Sequence, residues 1–115
     1  MDKNANALCN GYEFEFQDGD KCQMSLSFIR LKRLASKRKD LSDRYHNVMI
    51  KGTKSELDVL TVLYTAYVCA NMESDALMSE DDFIERCGDD HVIIFEAFDA
   101  LTNPKKRKAS AELSN

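Results

Sequence analysis

The sequence predicts a mainly α, α+β fold: an N-terminal β-hairpin packed on a compact set of about four to five helices. Three observations carry that expectation. Tyr12 to Phe16 alternates strictly between aromatic and acidic residues, and Lys21 to Ser25 alternates again after an Asp-Gly pair. From Leu26 onward, apolar residues recur at the three- and four-residue spacings of helices. At 115 residues the chain has room for one core and no second.

Residues 1–11 are polar and aperiodic, and are expected to form a flexible arm. In the first strand Tyr12, Phe14 and Phe16 share one face, while Glu13 and Glu15 share the other. Asp18-Gly19 marks the hairpin turn, and Cys22 and Met24 continue the apolar face on the second strand. Such a hairpin is marginal alone, so its aromatic face must lie on something else. Helices supply that surface. Leu26, Phe28, Ile29, Leu31 and Leu34 mark one of them. Leu41, Tyr45, Val48 and Met49 mark a second, from about Asp40 to Ile50, which Gly52 closes. Thr53 or Ser55 caps the next, with Glu56 placed for a capping box with Thr53.

That third helix, from about Lys54 to Asn71, has two apolar stripes. Leu57, Leu60, Leu63 or Tyr64, and Tyr67 make one; Val59, Val62, Ala66 and Cys69 make the other. A helix so apolar around its circumference is buried on most sides. Either it is the central helix, or another chain covers one of its faces. After a loop, Ser79 caps a short helix containing Phe83 and Ile84, with acids where the helix dipole favours them, and Gly88 ends it. Asp89-Asp90 opens the last helix, rich in apolar residues from Val92 to Leu101, and Pro104 stops it. The single helical domain with its hairpin therefore covers residues 12–103. Residues 104–115 carry Lys105, Lys106, Arg107 and Lys108 in a row, bury almost nothing, and are expected to be a disordered basic tail.

Composition narrows the function classes. No apolar run is long enough to cross a bilayer, and Met1 to Asn6 has no secretory pattern, so an intracellular protein is expected. Cys9, Cys22, Cys69 and Cys87 form no CxxC pair, and His46 and His91 complete no metal motif with them. No metal or cofactor is expected. The chain has no Gly-rich phosphate loop, no GxSxG and no HExxH, so it is read as a non-enzyme. Asp81-Asp82 and Asp89-Asp90 are explained by helix starts.

Charge is segregated. The net charge of −4 covers nine bases against two acids from Arg30 to Lys54, and ten acids against one base from Glu73 to Asp99. Two differently charged solvated faces would give this pattern. So would complementary contacts between copies, which steer association and set register.

One pattern goes beyond class. Leu57 to Asn71 reads LDVLTVLYTAYVCAN and is followed by Met78 to Glu85, MSEDDFIE. This resembles the tail assembly chaperones of long-tailed, siphovirus-type bacteriophages, whose helix of the form LYxAYxCAN precedes a loop and an MSxxxFIE segment. The likeness runs from about Tyr12 to Pro104, and Arg30 to Lys39 fits it only loosely. It implies a homo-oligomer in the host cytoplasm that coats the tape-measure protein, brings tail-tube protein to it, and is absent from the finished virion. It also implies a longer form made by ribosomal frameshifting near the end of the frame.

The contact residues expected for self or client are Leu57, Val59, Leu60, Val62, Leu63, Tyr64 and Tyr67 on the apolar helix. Arg30, Arg33 and Lys37 on the basic block join them, with Asp81 and Asp82 on the acidic block and Lys105, Lys106, Arg107 and Lys108 on the tail. The alternative is a small oligomeric regulator or antitoxin-like module that puts the basic 30–39 helix on nucleic acid. Against it stand the acidic pI near 5.1 and the lack of aromatics among the bases.

Overall fold

A computed structural model describes residues 11–103. Strands β1 (Gly11–Glu15) and β2 (Lys21–Ser25) form an antiparallel hairpin with Gly11 opposite Ser25 and Glu15 opposite Lys21. Helices α1 (Phe28–Lys37), α2 (Lys39–Lys51), α3 (Glu56–Ala70), α4 (Glu80–Cys87) and α5 (His91–Thr102) follow. The α+β class expected from the sequence is the one observed. One boundary moves: Gly11, expected in the arm, opens β1. Residues 1–10 of that arm, and the whole tail, lie outside the described residues.

Local chemistry accounts for the elements. The Phe16 N–H donates to the Asp20 carbonyl at 2.7 Å and the Gly19 N–H to the Phe16 carbonyl at 3.0 Å, which leaves a three-residue loop. Gly19 takes its last position at φ +93°, where side chains other than glycine's are strained. Ser55, rather than Thr53, caps α3 and accepts from the Asp58 N–H. Ser79 caps α4 through the Asp82 N–H, and Asp90 caps α5 through the N–H groups of Val92 and Ile93. Arg38 alone separates α1 from α2, ending one helix and starting the next.

The third helix is the central one. Every side chain from Val59 to Cys69 is buried except Leu60, which is half-buried, and β2, α1, α2, α4 and α5 all pack on α3. The hairpin's aromatic face lands on the same core. Phe16 meets Phe83 edge-on at 5.9 Å, and Phe83, fully buried, stacks on Tyr67 at 5.2 Å and tilts against Tyr64 at 5.4 Å. Ring pairs in such offset and edge-on geometries add to the burial of the rings themselves. Arg86 locks the hairpin tip to α4: its guanidinium reaches Asp18 at 2.7 Å and Asp20 at 2.8 Å, and lies 4.5 Å over the Phe16 ring.

Candidate protein-binding surface

Most of the contact residues expected on α3 are consumed inside the chain, which corrects that part of the expectation. Val59, Val62 and Leu63 are essentially without exposed surface, and Leu60 is half-buried. Tyr64 and Tyr67 are buried and hydrogen-bonded to the backbone of Met78. A partner could reach them only by unfolding the domain. Leu57 alone of this set stands in solvent, in the first turn of α3.

The charge blocks also meet within one chain. Arg30 donates to the Cys69 carbonyl at 3.1 Å and pairs with Glu73 at 3.3 Å. It thereby puts a cation at the end of α3, which has no basic residue in its own last turn. Arg44 holds Glu80 with both guanidinium nitrogens, at 2.9 and 2.8 Å, and reaches the Thr61 hydroxyl at 3.3 Å. That bidentate hydrogen bond holds the Glu80 carboxyl below the usual glutamate range. Arg30 is thus engaged within its own chain, whereas Arg33 and Lys37 lie exposed on α1, with no ion pair to either among the described residues. Asp81 and Asp82 are exposed in the first turn of α4. Lys105, Lys106, Arg107 and Lys108 fall outside the described residues.

What the expectation missed is where apolar surface remains exposed. At one end of the domain Phe28 (89% exposed) and Met49 line a cavity of about 320 Å³ with Leu26, Tyr45, Leu101 and Thr102. Ile29 and Ile50 (83% exposed) adjoin Phe28 and Met49 in sequence. The start of α1 and the end of α2 reach this end together because the chain doubles back at Arg38. A second apolar patch is an open face of α5 formed by His91, Val92, Phe95, Glu96 and Asp99. His91 Nδ1 contacts Glu56 at the start of α3. Both patches touch α5: its face from His91 to Asp99 carries the second, and Leu101 and Thr102 in its last turn line the first.

The sequence did hold a signal for these patches. Val92, Ile93, Ile94 and Phe95 are four successive apolar residues, and Phe28-Ile29 and Met49-Ile50 are adjacent pairs. A helix turns about 100° per residue, so a single core cannot receive them all.

The described cysteines are packing groups. Burial pushes the Cys22, Cys69 and Cys87 thiols up to about 12, and no disulfide joins them. Among the described residues no group of three or more histidine, cysteine or acidic side chains could hold a metal ion, and no helix is long and apolar enough to cross a membrane. No family model, curated protein or solved structure matches this chain.

Proposed function

We propose that this chain is a non-enzymatic assembly factor of the phage tail chaperone type. It self-associates in the host cytoplasm, coats a helical client such as the tape-measure protein, and delivers tail-tube subunits to it. The observation that carries the reading is the exposure of large apolar side chains on two unlike patches, one around Phe28 and Met49 and one around Val92 and Phe95 on α5. Contiguous exposed apolar surface of this kind marks protein interaction sites. Two unlike patches favour a head-to-tail contact, which generates a ring or an open spiral, the geometry a coat around a long client requires. The Phe28 cavity suits an apolar side chain from the next copy. The α5 face, which carries Glu96 and Asp99 beside Val92 and Phe95, suits an apolar stripe flanked by bases.

Light scattering on the full chain at micromolar concentration tests the reading. Particles larger than 13.1 kDa are expected, with Phe28→Asp and Phe95→Asp each reducing them to monomers. Mixing the two variants should restore dimers, because each keeps one intact patch. A monomer at every concentration, unchanged by either substitution, would overturn self-association. A tape-measure protein that aggregates equally with and without this chain would overturn the chaperone role.

The exposed Lys32, Arg33 and Lys37 on α1 favour a second reading, a nucleic-acid contact. Binding to duplex DNA that falls steeply between 50 and 200 mM salt would support it, and no binding at the lower salt would dismiss it.

A further inference from the structure

We propose that the exposed face of α1 in one copy packs alongside the exposed face of α5 in the next, with the two helices parallel. The inference rests on the self-association proposed above and names the contact that produces it.

Both helices carry one arrangement of side chains. On α1 the exposed Phe28 and Ile29 are each followed four residues later by an exposed base, Lys32 and Arg33. On α5 the exposed Val92 and Phe95 are each followed four residues later by an exposed acid, Glu96 and Asp99. Residues four apart share one face of a helix and lie about 6 Å apart along its axis. Each face therefore offers an apolar pair and, about one turn toward the C-terminus, a charged pair. The two charged pairs are opposite in sign.

Neither face is covered within one copy. Leu31 and Leu34 turn the other side of α1 to the core, and Ile94, Ala97 and Leu101 do the same for α5. Phe28 stays 89% exposed and Val92 66%. Lys32, Arg33 and Glu96 form no ion pair among the described residues. Asp99 accepts from the Asn103 side-chain amide at 2.7 Å, and a carboxylate has acceptor sites for more than one donor.

The order of the groups sets the direction. With the helices parallel, Phe28 and Ile29 meet Val92 and Phe95, while Lys32 comes to Glu96 and Arg33 to Asp99. Turning one helix round sets the bases against Val92 and Phe95, where they lose water and gain no partner. Charge pairs beside an apolar contact fix its register and exclude wrong alignments. A second copy is the occupant selected, because every copy carries both faces and they match in charge as well as in order. The giving and receiving faces differ, so the contact is heterologous and passes from copy to copy.

Charge reversal in the full chain, read by light scattering, tests the pairing. Lys32→Glu with Arg33→Glu sets acids against acids, and Glu96→Lys with Asp99→Lys sets bases against bases. Each double variant should associate about tenfold more weakly or worse at low salt. A chain with all four reversals should regain the particle size of the unaltered protein. So should a mixture of the two double variants, in which every contact is again between opposite charges. The milder Glu96→Gln with Asp99→Asn should weaken association without disturbing the helix, which circular dichroism checks. Rescue in neither the mixture nor the fourfold variant would overturn the pairing. Reversals that leave the particles unchanged, while Phe28→Asp dissolves them, would overturn it and leave self-association standing. An unaltered chain that stays monomeric would overturn both.

Discussion

Tyr64 and Tyr67, one turn apart on α3, hold the two polar groups of a single residue. Tyr64 donates to the Met78 carbonyl at 2.8 Å, and Tyr67 accepts from the Met78 N–H at 2.9 Å. The loop before α4 is thereby fixed to the central helix at one point, just before the Ser79 cap. Tyr64→Phe and Tyr67→Phe should each leave a part-buried backbone group unpaired and cost about 1–3 kcal/mol in urea denaturation. Losses within error of zero would mean that the Met78 backbone finds water instead.

Val62 and Phe28 should respond in opposite ways to a charge. Val62 is fully buried on α3 and Phe28 almost fully exposed on α1. Val62→Asp should abolish the folded state, because an unpaired carboxylate in that core costs several kcal/mol, a large share of a small domain's stability. Phe28→Asp should leave the circular dichroism spectrum and melting temperature nearly unchanged and alter only association. A folded Val62→Asp protein would contradict the central placement of α3.

The Arg44–Glu80 pair predicts a pH dependence of stability. The folded-state value of Glu80 is depressed, chiefly by the hydrogen bond from Arg44. The unfolded chain therefore binds a proton at higher pH than the folded one does. The stabilisation is complete above the ordinary value of 4.5 and is lost as pH falls through the depressed folded value. Denaturation midpoints should drop as the solution is acidified below about pH 4.5, and Glu80→Gln should flatten that slope. Parallel slopes for both proteins would show that other carboxylates set the acid response.

Thiol chemistry should report on global unfolding. With the Cys22, Cys69 and Cys87 thiols pushed up to about 12 by burial, almost no thiolate exists at pH 8. Alkylation of Cys69 and Cys87 in the native protein should therefore be slow, and should accelerate abruptly at the unfolding midpoint. Rapid native-state labelling of Cys69 would mean that α3 opens locally beside Arg30.

Much of this fold was legible because local signals agreed with the global packing. Strict alternation around Asp18-Gly19 marked the hairpin, and Ser79, Asp90, Gly52 and Gly88 marked helix ends by the hydrogen bonds or backbone angles they make. The binding surface was not legible in the same way. A doubly apolar helix has the same sequence whether its own chain or a second one covers it, and only the packing of β2, α1, α2, α4 and α5 decides between them. The charge blocks carried the same ambiguity. Arg30 lies 43 residues from Glu73, and Arg44 lies 36 from Glu80. No periodicity links positions so distant. Phe28 could not be told from Leu31 by spacing, yet it sits in the first turn of α1, beyond the reach of the core.

From Val59 to Cys69 α3 is enclosed by its own chain, so this helix cannot swing out and be lent to a partner without unfolding the domain. A partner docking at the Phe28 or Phe95 end therefore meets a preformed body. Encounter should be limited by diffusion and orientation, with association rates of about 10⁵–10⁷ M⁻¹s⁻¹ and no slow unimolecular phase. Differences in affinity among variants should then appear as differences in how long the complex lasts.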